Sequence, residues 1–210
     1  MPMKDAVDRL TPLGLMVLAL LNEGDMHPYE MMRLMRQRHD DRLVTITNGT
    51  LYHTVGRLVR AELLAEVGVD REGNRPERTT YSLTADGRDA VGEWVRRELP
   101  RTDHPAEFRI ALAEAHNLER TEVIDLLHAR RANLTGEHLM HSGGRRKALD
   151  RGVPEQFLLE IERSEILLEV ELRWTDALID RLELHAFPWG ADELFPLSER
   201  YLTDRKAARQ

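Results

Sequence analysis

The stretch Asn48-Gly49-Thr50-Leu51-Tyr52-His53-Thr54-Val55-Gly56-Arg57-Leu58-Val59-Arg60 decides how the first half of this chain is read. Set on a helix at about 100° per residue, it separates into two faces. Leu51, Val55, Leu58 and Val59 fall together and predict contact with a core. Thr50, His53, Arg57 and Arg60 fall opposite, beside Gly49 and Gly56, with Tyr52 at the boundary and Asn48 at the helix start. No acidic residue occurs from Arg42 to Arg60, although the formal net charge of the chain is -7. Arginine pairs with guanine edges, threonine serves several bases and glycine permits close approach, so this face suits a DNA major groove. A solvated helix face that is merely basic is the competing reading.

Outward from this stretch, the chain supplies the rest of a helix-turn-helix with a hairpin. Thr11-Pro12 is a helix start, a capping hydroxyl followed by proline at the first helical position. Leu13, Met16, Val17, Leu20 and Leu21 give an apolar stripe, and Gly24 a stop. Pro28 opens a second helix with Tyr29, Met31, Met32, Leu34 and Met35 on its apolar side and Arg33, Arg36 and Arg38 on the other. Thr47-Asn48 caps the third. Residues 63–69 and Thr79-Thr80-Tyr81-Ser82-Leu83 read as two strands, and the turn-rich segment between them makes a hairpin, a wing. Arg71, Arg75 and Arg78 at its tip are placed to meet phosphates or a minor groove. Thr84 caps a further helix carrying Ala90, Val91, Trp94 and Val95, ended by Leu99-Pro100.

These residues carry a resemblance. Leu13-Gly14, His27-Pro28-Tyr29-Glu30, Gly49-Thr50-Leu51-Tyr52, Arg57-Leu58, Asn74-Arg75-Pro76 and Tyr81-Ser82-Leu83-Thr84-Ala85-Asp86-Gly87, taken in order, resemble the winged helix-turn-helix of PadR-family transcriptional regulators over about residues 10–97. The chain departs from the usual pattern at Pro28, where glycine is common, and at His53, where proline is common. The second change alters the surface offered to DNA. The resemblance implies DNA contact at Thr50, Tyr52 and the wing arginines, and a repressor, commonly of a neighbouring gene for a transporter or detoxifying enzyme. With the helix-face reading, the expected DNA-binding set is Asn48, Thr50, Tyr52, His53, Arg57, Arg60, Arg75 and Arg78.

The second half reads as helical. Phe108, Ile110, Ala111, Leu112 and Ala115 mark one helix, and Val123, Ile124, Leu126, Leu127, Ala132 and Leu134 a second, ending near Leu139. His141-Ser142-Gly143-Gly144-Arg145-Arg146-Lys147 reads as an exposed loop. Pro154 is expected to open the longest helix, running to about His185. Phe157, Ile161, Ser164, Leu168, Leu172, Thr175, Ile179, Leu182 and Ala186 recur along it at three- and four-residue steps, a coiled-coil period. A second row, with Leu159, Ile166, Leu167, Val170, Trp174, Ala177 and Leu178, exceeds what one small bundle covers, so a partner subunit is the economical answer. The dimerisation set is Phe157, Ile161, Leu168, Leu172, Ile179 and Leu182. This half resembles the helical dimerisation domain of longer PadR-family members, and the resemblance implies an aromatic effector, with Trp94 and Trp174 as candidate contacts. Both tryptophans also sit on apolar stripes and read as core.

The expected fold class is therefore mainly α with a small β-hairpin wing: residues 1–100 a winged helix-turn-helix, 101–190 a helical dimerisation domain, 191–210 a tail. A hydrophobic fraction of 41% and a charged fraction of 32% in 210 residues fit a soluble, helix-rich globular chain. No apolar run approaches a membrane span, nothing at Met1 resembles a signal peptide, and without cysteine there is no disulfide or thiolate metal site. A cytoplasmic setting follows. The acidic sequence pI of 5.7 leaves DNA binding open, because affinity follows the local patch. No phosphate loop, nucleophile elbow or cysteine nucleophile is present, so no enzyme activity is expected. His138 and His141 have a metal-like spacing near Glu137, but surface histidines are the simpler reading, and no metal or cofactor is expected. The expected function is an effector-responsive repressor that binds an inverted-repeat operator in double-stranded DNA as a homodimer, with no membrane partner. The alternative is a dimeric winged-helix adaptor that does not read DNA.

Overall fold

A computed structural model describes residues 7–70, 78–190 and 207. Its elements are α1 (Pro12–Leu21), α2 (Pro28–Gln37), α3 (Asn48–Arg60), β1 (Leu64–Asp70), β2 (Arg78–Leu83), α4 (Ala85–Glu98), α5 (Pro105–Ala113), α6 (Arg120–Asp150) and α7 (Leu159–Glu183), with 3-10 turns at Asp40–Arg42, Ala115–Asn117 and Glu155–Phe157. The expected class, mainly helical with one hairpin, is the observed one.

Local chemistry sets most boundaries. The Gly14 amide donates to Thr11 Oγ1 at 3.2 Å, and Pro12 occupies the first turn, where its missing N–H costs nothing. In α2 the cap is an imidazole: the Glu30 amide donates to His27 Nδ1 at 3.0 Å, again ahead of a proline. Every residue of α1 from Leu13 to Leu21 is buried, as expected of a helix apolar on all sides. It is the central rod on which α3, α4 and α5 pack.

The hairpin pairs Leu64 with Leu83 through to Asp70 with Arg78, with a bulge between Glu66 and Gly68. Tyr81 also exchanges two backbone hydrogen bonds with Met26, tying the hairpin to the α1–α2 turn. Thr84 Oγ1 accepts from the Gly87 amide and donates to Leu63 O, so one hydroxyl caps α4 and fastens it to the strand entrance. A Cβ on Gly87 would lie 2.2 Å from Leu63 O and 2.7 Å from Leu83 Cδ1. Gly87→Ala is therefore expected to destabilise the protein by about 1–3 kcal/mol, read as a lower midpoint of chemical denaturation.

Two expectations about the second half are corrected. Residues 141–147 are not a loop: α6 runs unbroken through Gly143 and Gly144 to Asp150 and, at 31 residues, is the longest helix. Each glycine costs about 1 kcal/mol of helix propensity. Side chains on both sides of the pair offset this by reaching α7: Arg145 donates to Glu162 at 3.2 Å, and His138 faces Glu169 at 3.4 Å. Pro154 opens a 3-10 turn, and α7 begins only at Leu159. The side-chain pairs Arg145–Glu162, His138–Glu169, Arg131–Asp176 and His128–Glu183 join α6 and α7 in opposite sequence order, so the two helices form an antiparallel hairpin.

The buried cluster is continuous from Leu10 and α1 through Trp94 and Phe108 to Ile179 and Leu182. Phe187 and Trp189 pack back on it, the indole donating to Leu118 O at 2.9 Å. Phe195 and Tyr201, further along the tail, lie outside the described residues.

Candidate nucleic-acid interface

Helix α3 buries Leu51, Thr54, Val55 and Leu58. Its opposite face is open: Asn48, Gly49, Thr50, Tyr52, His53 and Arg60 are exposed, and Arg57 is half-buried. Tyr52 is the residue whose placement shifts most. It stands clear of the core at 55% exposure, an aromatic ring and hydroxyl in solvent.

Thr50 has a local duty. Its amide donates to Thr47 Oγ1, and its own Oγ1 accepts from the Thr47 amide at 3.0 Å, a reciprocal capping box. Thr50 Oγ1 also lies 3.0 Å from Thr47 O, within donating reach. A hydroxyl so occupied holds the helix start and has little left for a base edge. Arg57 donates to Arg9 O at 3.3 Å, which draws its guanidinium towards the N-terminal segment. Asn48, Tyr52, His53 and Arg60 are the expected contacts whose side chains are both exposed and outside these bonds.

One further feature favours close approach by a partner. A Cβ on Gly49 would meet no atom within 4 Å, so nothing inside the chain requires glycine there. In the turn before α3, burial pushes the Asp40 carboxyl above the ordinary range, against the opposing pull of Arg38 and Arg42. Arg75 lies outside the described residues, and Arg78 enters as the backbone partner of Asp70 in the hairpin.

The two tryptophans separate. Trp94 is 1% exposed, inside the core, so a molecule stacking on it would have to open the core, which agrees with the core reading of this residue. Trp174 is 40% exposed and meets Phe108 edge-on at 6.3 Å. Beside them Arg130, which the sequence reading missed, lies with Cζ 3.4 Å from the Phe108 ring centroid and donates to Glu171 at 3.0 Å and to Arg101 O. Burial lowers its pKa and the Glu171 carboxylate opposes this. The signal was present: Val123, Leu127, Arg130 and Leu134 fall at helical steps, an arginine inside an apolar stripe.

The dimerisation set also divides. Ile179 and Leu182 are buried in the chain's own core, and Ile161, Leu168 and Leu172 are half-buried. Phe157 is exposed but belongs to the 3-10 turn before α7. Two of the six seam side chains, Ile179 and Leu182, thus lie in the chain's own core, and the other four keep surface open to solvent. The second row faces outward instead, with Leu159, Ile166, Leu167, Val170 and Trp174 exposed. A helix covered by one antiparallel neighbour can bury only one of its two rows.

A three-helix core whose third helix presents an acid-free face, followed by an antiparallel hairpin, defines the winged helix-turn-helix class. Residues 17–93 match the model of the transcriptional regulator PadR-like family. Similar solved structures include Bacillus subtilis PadR in complex with operator DNA, 16% identical, covering 81% of this chain and 97% of that one at a TM-score of 0.39. The same protein in complex with p-coumaric acid is 15% identical, covering 82% and 99% at 0.37. A Streptococcus mutans UA159 protein is 16% identical, covering 82% and 97% at 0.37. No curated protein matches the chain. Among the described residues, no helix is long and apolar enough to cross a membrane.

Proposed function

We propose that this PadR-like regulator is a cytoplasmic, homodimeric repressor that reads an inverted-repeat operator and is released by a flat aromatic effector. Residues 1–100 act as the DNA-reading head and 101–190 as the arm that pairs two heads. The observation that carries the reading is the open face of α3, where Asn48, Tyr52, His53 and Arg60 are exposed on a segment free of acids from Arg42 to Arg60. Tyr52 and Arg60 supply hydrogen bonds and charge, and the bare backbone at Gly49 allows the helix to seat deeply. Arg78 at the start of β2, and Arg75 three residues before it in the sequence, would add phosphate contacts, which are independent of sequence.

Two-fold pairing of the heads requires half-site centres separated by about one helical turn, ~34–36 Å, or a multiple of it. The outward row of α7 supports the pairing, because contiguous exposed apolar side chains mark interaction sites. The half-exposed Trp174, edge-on to Phe108 beside Arg130, is the surface that supports an aromatic effector. A ligand there acts by binding better to a head separation that cannot span both half-sites.

The test is fluorescence anisotropy with the DNA flanking the protein's own gene, titrated with salt. Specific binding is expected, with log affinity falling linearly in log salt. Arg60→Ala is expected to weaken operator binding by about 1–3 kcal/mol while leaving binding to unrelated DNA nearly unchanged. Equal losses on both DNAs would make Arg60 a phosphate contact, and no binding to any flanking DNA would refute the repressor.

A further inference from the structure

Towards the closed end of the α6–α7 hairpin, the seam between the helices changes from apolar to charged. Leu127 and Leu134 are buried on the inner side of α6, and then His138, His141 and Arg145 follow at three- and four-residue steps. Facing them on α7 are Glu162, Glu165 and Glu169, spaced likewise. His138 Nε2 lies 3.4 Å from Glu169 Oε1, and one ligand atom from each of His138, Glu165 and Glu169 lies within 4.8 Å of the others.

That 3.4 Å is long for a charge-assisted hydrogen bond, which settles at about 2.7–2.9 Å. It matches one edge of a tetrahedral shell, in which metal–ligand bonds of about 2.0–2.2 Å place neighbouring ligands about 3.3–3.6 Å apart, and the trio as a whole lies within 4.8 Å. The two glutamates stand four residues apart on one helix face, and the imidazole comes from the opposing helix, so a bound ion would cross-link the pair. A second observation lies one turn along α6. His141 Nδ1 is buried and has no hydrogen-bond partner among the described residues, leaving a second imidazole nitrogen unspent on the same row.

We propose that His138, Glu165 and Glu169 form a site for a divalent transition-metal ion of the zinc type, with water completing the shell. One imidazole nitrogen with two carboxylates suits such an ion, whereas magnesium and calcium prefer all-oxygen sites. Its ligand positions on α7 interleave with Ile166, Leu167 and Val170 of the outward row, so the ion stiffens the hairpin beneath that surface. Arg145 competes with it, its guanidinium lying 3.9 Å from Glu165 Oε2.

The test is isothermal titration calorimetry of the chelator-stripped full chain with Zn2+, with helicity followed by circular dichroism. A single saturable site per chain is expected, unaffected by excess Mg2+. His138→Ala and Glu169→Gln should each raise Kd by about tenfold or more. Arg145→Gln should lower it, and His128→Ala should leave it unchanged, although His128 faces a carboxylate on the same two helices. Absence of saturable Zn2+ uptake, or uptake of equal affinity after His138→Ala, would overturn the site.

Discussion

Trp94→Ala is expected to cost about 3–5 kcal/mol, much of the stability available to a chain of this size. The indole is the largest fully buried side chain on α4, in one cluster with Leu15, Leu18, Val91 and Leu99, and the Arg97 guanidinium lies 6.0 Å from its ring centroid at the edge of the cluster. Removing it leaves a cavity where α1 and α5 pack on α4, so the damage should spread beyond α4. Trp94→Phe keeps most of the apolar contact and should cost markedly less. Chemical denaturation followed by circular dichroism gives both values. A Trp94→Ala protein with an unchanged midpoint and a lost effector response would restore Trp94 as a ligand wall and refute its assignment to the core.

The two tryptophans show what a single helix pattern can and cannot reveal. Both fall on apolar stripes, and periodicity alone treats them alike. Trp94 is enclosed because α4 is flanked by α1 and α5, whereas Trp174 stands on a helix packed chiefly against α6 and keeps one side open to solvent. The same reason governs α7. Its two apolar rows were legible, but the row that turns inward is set by where α6 lies, information held 45 residues away in pairs such as Arg131 with Asp176.

Local chemistry, by contrast, was readable. The caps at Thr11, Thr47 and Thr84 involve partners three residues away, so the helix starts of α1, α3 and α4 follow from the sequence. The capping role of Thr50 was hidden for a related reason. Glutamate or glutamine usually closes a capping box, and a threonine in that position reads as an exposed hydroxyl when it is a bonded one. Gly143-Gly144 misled in the opposite sense. A local propensity penalty of about 1 kcal/mol per glycine is overridden by contacts to a helix that begins fifteen residues later.

The double substitution Ile166→Glu with Val170→Glu should abolish self-association and lower operator affinity by about 10²–10⁴-fold. Both side chains are exposed on α7, at 55% and 48%, and lie on one face four residues apart, so the isolated chain should fold as before. In a dimer built on this row the new carboxylates would be buried near their symmetry mates, a cost of several kcal/mol against pairing. Each head would then bind its half-site alone and lose the effective concentration that a paired head supplies. Ile179→Ala is the contrasting variant. That side chain is buried in the chain's own core, so it should cost about 2–4 kcal/mol of stability and leave the dimer intact where the protein remains folded. Sedimentation velocity separates the two outcomes, and anisotropy with operator DNA reads the affinity. A double variant that still sediments as a dimer would move the contact to another face. A wild-type chain that sediments as a monomer at micromolar concentration would remove the paired heads, and with them the inverted-repeat operator.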